Sequence, residues 1–400
     1  MSLRTALLAV AVIAFIPVAP AAAQDPIYDQ SRLHETRIVM DAGDWSALRQ
    51  NFRTNQYYAA NVSIDGEVVL QVGIRSRGKG SRSGEKPGLK VDMNRYVSGQ
   101  EFHGRKSVIL DNVTQDPTFL REPLSYAVFE AMGIAASQIA HTRLTVNDEY
   151  WGVYTLVEDV TKPFLDARLG DKEGNLFSYE YSGPYDFSFR GTNASAYVPV
   201  PFEPETNESS LDASGLIAFI RTANEAPDAG FVAAISAFLD VPRFLTHVAV
   251  ENAIAENDGI LGFEGMNNFF LYQYAGQSRF VFIPWDKDTT FVSADVPLLQ
   301  RVDGNVLVRR LLADPAQLAF YQDAVKRASA VAVNPGFLGP RIESMYALIR
   351  TSVVEDRKKP WTNEEFELGV EGLKALIAAR AQSIAAQSQA IARLSARRRR

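Results

Sequence analysis

The sequence predicts an α+β protein of two lobes, β-rich at the N-terminus and mainly helical at the C-terminus. Three observations carry this. Before residue 160 the apolar residues come in short alternating runs separated by turn residues; from Leu211 onward they recur at helical spacing; and one late strand pair, Phe269 to Tyr274 and Arg279 to Trp285, interrupts the helices. With 400 residues, 46% of them hydrophobic, there is enough apolar material for one large domain or two lobes.

Met1 to Ala23 stands apart from that core. Arg4, the apolar run Ala6 to Phe15 and the small residues Ala21-Ala22-Ala23 read as a secretory signal peptide, which predicts cleavage near Ala23 and export to the periplasm or the medium. Pro17 and Pro20 break it as an anchor, and no later stretch is long and apolar enough to cross a bilayer.

The N-terminal lobe is expected over 24–160. Thr36 to Met40 reads as an edge strand, followed by a brief helix capped by Asp44. Tyr57 to Ile64 and Glu67 to Ile74 flank Asp65-Gly66, a strong type I′ hairpin signal. The second strand runs into Arg75 to Lys86, where five of twelve residues are basic and glycine recurs, and Leu89 to Met93 resumes a strand carrying Lys90. Strand, glycine-rich basic loop and strand with an embedded lysine suit polyphosphate, because glycine lets backbone N–H groups approach oxygens and Arg and Lys supply fixed charge. A solvated hairpin tip is the plainer alternative. Lys106 to Leu110 is another strand. Asp116-Pro117 opens a helical stripe from Phe119 to Met132, in which Pro123 predicts a kink or a late start. Ile139 to Val146 and Tyr150 to Val157 form a second hairpin across Asn147-Asp148-Glu149.

The C-terminal lobe is expected over 161–390. It begins with a short helix, Pro163 to Leu169, and a strand, Asn175 to Tyr179. Ser182 to Ser210 is rich in Gly, Pro, Ser and Asn and reads as a long surface loop or lid, irregular from Pro199 to Pro204. Helices follow at Leu211–Thr222, Gly230–Leu239, Pro242–Ala255, Asn305–Leu312, Pro315–Val331, Pro340–Val353 and Glu364–Ser388. Residues 391–400 end in Arg397 to Arg400, a basic tail expected to be solvated.

Several chemistries are excluded. Without cysteine there is no disulfide, thiolate metal site or Cys nucleophile, and a net charge of −6 gives nucleic acid no global attraction. His34, His103 and His141 are too scattered for a triad or zinc site; His247 and Glu251, four apart on a helix, read as a surface or interlobe pair. Trp151 and Trp285 read as core. What remains is the late hairpin. Glu256-Asn257-Asp258 precedes it, Asn267-Asn268 opens it and Asp286-Lys287-Asp288 closes it, so its outer ends share one rim of carboxylates and amides. Such hard oxygens suit Mg²⁺ or Mn²⁺, although Asp and Asn also cap turns.

The two-lobe order is the layout of the protein-kinase-like fold, and from about His34 to Arg380 the chain resembles the CotH family, the spore-coat-type atypical kinases. The stretches that carry the resemblance are Gly73 to Gly78, Lys86 to Asp92, Leu110-Asp111-Asn112 with Asp116-Pro117 to Arg121-Glu122, Glu149 to Tyr154 through Glu158, Asn267 to Tyr272, and Ile283-Pro284-Trp285-Asp286 with Asp258 upstream. The resemblance implies transfer of the ATP γ-phosphate to a protein hydroxyl with a divalent metal, on protein substrates of the envelope or medium. It implies Asp258 as the catalytic aspartate and Asp286 as metal ligand, with Asn268 or Asn267 as a second oxygen ligand and Asp288 assisting through water. Lys90 would contact the α/β-phosphates, with Lys86 its rival. Glu122 would be the helix partner of that lysine, and Arg77, beside Gly78, a phosphate contact. The chain lacks the H-R-D and D-F-G triplets of ordinary kinases, as this atypical family does. The competing expectation is a non-catalytic envelope or surface assembly protein that keeps the fold. A weaker one is a metal-dependent enzyme moving another group from a nucleotide.

Overall fold

The computed structural model describes residues 25–334 and 336–398, with side chains through 390. The signal-peptide reading and the side chains of the basic tail lie outside the described residues.

After a 3₁₀ turn at Pro26–Tyr28 come β1 (His34–Met40), α1 (Ala42–Gln50), β2 (Tyr58–Ile64), β3 (Glu67–Arg77), β4 (Gly88–Asp92), β5 (Ser107–Asp111), α2 (Arg121–Ala131), β6 (Ile139–Val146) and β7 (Glu149–Glu158). The seven strands close into a barrel in the order β1-β2-β3-β4-β5-β7-β6. This goes beyond the lobe of hairpins read from the sequence. In particular β1 is no edge strand: it pairs with β2 antiparallel and with β6 in parallel, Thr36 against Leu144, and so seals the barrel. Alternation fills the interior, since one face of β1 (His34, Thr36, Ile38, Met40) points inward with Val72, Ile74, Leu89, Val91, Leu110 and Leu156. Both tight hairpins form as patterned: Asp65-Gly66 and Asn147-Asp148 all have positive φ, as two-residue type I′ turns require. The second turn is one residue shorter than the sequence suggested. Helix α1 is capped by Asp41, which accepts from the Gly43 and Asp44 amides, rather than by Asp44. Helix α2 starts late, at Arg121, so Pro123 falls in the first turn, where its missing N–H costs nothing.

The C-terminal region holds α3 (Lys162–Leu169), β8 (Asn175–Tyr179), β9 (Phe202–Pro204), α4 (Ser214–Glu225), α5 (Phe231–Ile235), α6 (Val241–Ala253), β10 (Phe269–Gln273), β11 (Phe280–Pro284), α7 (Val306–Ala313), α8 (Pro315–Ala332), α9 (Leu338–Glu355) and α10 (Asn363–Arg398). The late hairpin is confirmed, with Phe269 opposite Pro284, and it joins a four-stranded sheet in the order β11-β10-β8-β9. Two expectations fail here. The segment 182–210 is no lid, because Tyr185, Phe187, Tyr197 and Phe202 are buried and Phe202–Pro204 is a strand paired with β8. And α10 continues to Arg398, past Ser388 and into the region expected to be a free tail.

Barrel and helices are bolted together. The outward residues Ile109, Ile139, Val153 and Val157 share one core with α2 and the C-terminal helices. Lys86 is fully buried: its Nζ donates to Asp356 Oδ2 at 2.7 Å and to the Val153 carbonyl at 2.8 Å, beside the rings of Phe119 and Tyr154. Gly152 makes room for this pair, since a Cβ there would stand 2.2 Å from the Asp356 carboxylate, and its φ is positive. Among the described residues no helix is long and apolar enough to cross a membrane.

Candidate active site

The site is assembled where β3, β5 and the start of α2 meet the exit of β11. Arg77, at the end of β3, donates to Asp111 Oδ2 at 3.0 Å, and its guanidinium stands 5.6 Å from the centre of the Trp285 ring. Trp285 is half-buried, edge-on to Phe270. Gly78 follows with φ near 101°, where a Cβ would crowd Ser81 Oγ, so the turn of the basic loop needs glycine. Lys79, one residue on, reaches across to the Tyr181 carbonyl and to Glu180.

The segment after β11 is held on two sides. Towards α2, the Asp286 amide donates to the Tyr126 hydroxyl at 3.1 Å, that hydroxyl donates to Glu122 Oε1 at 2.8 Å, and Thr290 bonds Ser125 at 2.9 Å. Towards α6, Lys287 donates to Glu251 Oε1 at 2.8 Å and Thr289 to Glu256 Oε1 at 2.8 Å. Asp286 itself has φ of 53°, a strained setting for a non-glycine residue that these bonds hold in place. Asp258 approaches from the loop after α6. Its Oδ2 accepts from Asn267 and from Asn268, each at 3.1 Å, so both amides turn their nitrogens to the aspartate and keep their carbonyl oxygens for another partner.

The electrostatics are unbalanced. Burial, then the negative charge of Asp111, pushes the Asp286 carboxyl up to about 6, against the opposing pull of Arg77. Burial, then Asp286 and Asp111, pushes Glu122 up to about 8. Asp288 is raised well above the ordinary carboxylate range by burial and then by Asp286, Asp111 and Glu122. Burial raises Asp258 as well, with the Asn267 and Asn268 bonds opposing. Arg77 is held above its ordinary value because Asp111 and Asp286 outweigh its burial. One guanidinium thus serves several carboxyl groups.

The lysines are elsewhere. Lys90 pairs with Asp159 at 2.8 Å, and Asp159 also accepts from Ser107 at 2.5 Å. The expected Lys90–Glu122 pair is therefore not formed; the partner of Glu122 is Tyr126. Lys90 still borders the site, since the charge of Asp159 bears on Arg77. Lys86, the rival lysine, is committed to Asp356 and has no free donor face for a phosphate. The His247–Glu251 pair, expected at a surface or between the lobes, is buried in the helical core, where Lys287 joins it.

Asp111, Tyr126, Asp159 and Lys287 are the participants that the sequence reading left without a role. Tyr126 was findable from its spacing four residues after Glu122 on one helix. Lys287 had a signal too, a cation between two acids in an apolar stretch. Nothing local marks Asp111 or Asp159 as partners of Arg77 and Lys90.

Among the described residues no three His, Cys, Asp or Glu side chains close into a complete metal cage. The donor set nonetheless fits a cation that is shared with a nucleotide: Mg²⁺ usually takes one or two carboxylates and completes its shell from water and phosphate oxygens. Carboxyl groups pushed up by burial and then by one another, with amides nearby whose oxygens are free, are such a partial set.

A family profile described as CotH kinase protein matches residues 74–384. Inner spore coat protein H of Bacillus subtilis is 24% identical over 353 residues, covering 85% of this chain and 93% of that protein. Two Rhizopus delemar proteins, spore coat protein homolog 1 and invasin CotH7, are each 22% identical over 83% of this chain, which spans 56% and 58% of their lengths. Among solved structures, the Helicobacter pylori proinflammatory kinase CtkA aligns over 76% of this chain and 95% of its own, at 9% identity and a TM-score of 0.32, too loose a likeness to inform the fold.

Proposed function

The chain belongs to the CotH kinase family, and from that premise we propose that it is an exported atypical protein kinase that moves the ATP γ-phosphate to a protein Ser/Thr hydroxyl with Mg²⁺ or Mn²⁺. The observation that carries this reading is the excess of carboxyl groups at the site, Glu122 and Asp288 buried and Asp111 and Asp286 half-buried, of which only Asp111 is paired with the guanidinium of Arg77. Burying like charges is destabilising unless a cation offsets them. A divalent metal would supply that charge, and when bound it would neutralise the phosphate oxygens. Asp286 and Asp288 would hold it with the carbonyl oxygen of Asn268 or Asn267. Arg77 and Lys90 would meet phosphate oxygens, with the backbone of the loop around Gly78 close by. Asp258, aligned by Asn267 and Asn268, would orient the acceptor hydroxyl and accept its proton.

The test is incorporation of label from γ-labelled ATP into the chain itself or into envelope proteins, with Mn²⁺ or Mg²⁺. Incorporation that disappears in Asp286→Ala and Asp258→Ala, both still folded by circular dichroism, supports the reading. Label that persists in both variants sinks it. A second reading, a surface assembly protein without catalysis, is favoured by the engagement of both candidate lysines with carboxylates and by relatives named as a coat protein and an invasin. It predicts no shift in melting temperature with ATP and Mn²⁺ together.

A further inference from the structure

The end of the β10–β11 hairpin opposite the catalytic rim carries a half-open pocket of about 180 Å³ between α6 and β11. Its wall is aromatic, with Phe244, Phe280 and Phe282 all buried. Two cations border it, Arg243 half-buried and Arg279 exposed. Neither Arg243 nor Arg279 has a carboxylate within 4.0 Å among the described residues, and Arg243 Nε is buried without a hydrogen-bond partner. Asp240 also lines the cavity, but its carboxylate caps α6 by accepting from the Arg243 amide at 3.0 Å. The floor includes His247, 1% exposed, whose Nδ1 makes no well-formed hydrogen bond although the Phe282 backbone lies alongside. A pocket with an aromatic wall and two arginines free of carboxylate partners suits a ligand with one flat apolar body and one anionic end. In size, an engineered cavity of roughly 150 Å³ holds benzene.

The chamber is also wired to the catalytic segment. His247 Nε2 faces Glu251 Oε1 at 3.3 Å, and the same oxygen accepts from Lys287 at 2.8 Å, between Asp286 and Asp288. We infer that this cavity is a regulatory site for a small aromatic carboxylate, gripped by Arg243 and Arg279, whose occupancy bears on the catalytic segment through His247, Glu251 and Lys287. A ring seated on Phe282 would press on the strand that ends at Asp286, and a carboxylate at Arg243 would reset the hydrogen bonding of His247.

The experiment is calorimetric titration of the full chain with benzoate, and with benzyl alcohol as its neutral counterpart. Benzoate is expected to bind saturably and roughly tenfold or more tightly than the alcohol, the ordinary worth of a charge-assisted hydrogen bond. Arg243→Gln with Arg279→Gln should abolish that preference while leaving circular dichroism unchanged, and Asp286→Asn should leave it intact whether or not the chain is a kinase. The His247 imidazole signals should move during the titration. Equal binding of the two probes, or a preference that survives the double variant, overturns the site; static His247 signals with benzoate bound overturn the relay.

Discussion

Two kinds of buried charge sit a short distance apart in this protein, and they are treated in opposite ways. At the bolts a buried lysine meets its carboxylate directly: Lys86 with Asp356, and Lys287 with Glu251, although Glu256, 4.0 Å away, shares that second lysine. At the candidate site Asp111, Glu122, Asp286 and Asp288 gather with Arg77 as the nearby guanidinium, and burial, then their mutual repulsion, pushes the last three upward. Matched pairs serve architecture. On the proposed reading, a mismatch maintained at a cost in stability would serve chemistry, because a site that already held its full complement of cations would have nothing to offer a metal or a phosphate.

The comparison breaks most visibly at the bolts. Lys86→Ala leaves Asp356 buried without its cation and should cost about 3–5 kcal/mol, read as a large fall in the urea midpoint; Lys86→Met with Asp356→Leu should recover most of it. If the single variant melts like wild type, the pair is no bolt. At the candidate site, Asp258→Asn should leave the melting temperature within a few degrees of wild type and lower the proposed phosphorylation by about 10²–10⁴-fold, the usual worth of a general base. The second bolt has a pH signature. Burial alone would raise Glu251, but Lys287 and then His247 hold it down to about 2. A folded pKa below the unfolded one stabilises above pH about 4.5, and that stability is lost as pH falls towards 2. Glu251→Gln should therefore flatten the acid limb of a stability–pH curve, by on the order of 3 kcal/mol across that window. The last effect has the opposite sign. Glu122→Gln removes a carboxyl held up to about 8 by burial and then by Asp286 and Asp111, so the variant should gain stability over the metal-free wild type as pH rises from about 4.5 to 8, by up to on the order of 4 kcal/mol, measured by calorimetry, while weakening the proposed metal-dependent activity. A loss of stability across that window would mean that these acids are already balanced.

Legibility divides along the same line. The hairpins at Asp65-Gly66 and Asn147-Asp148, the β10–β11 pair, the late start of α2 that puts Pro123 in its first turn and most of the helices could be read directly, because turn chemistry and periodicity act between residues a few positions apart. The rim of Asp258, Asn267, Asn268 and Asp286 was legible for a related reason: a hairpin brings its own ends together. The closure of the barrel by β1 on β6 was not, and neither were the partners of the lysines. Lys86 meets a carboxylate 270 positions away, and Lys90 meets Asp159 rather than Glu122. An ion pair depends on a separation of a few ångströms between particular atoms, and only the packing of barrel against helices sets that distance. Sequence alone thus determined which charges the protein carries and the local elements that present them; tertiary structure decided which of them are neutralised and which are left in excess.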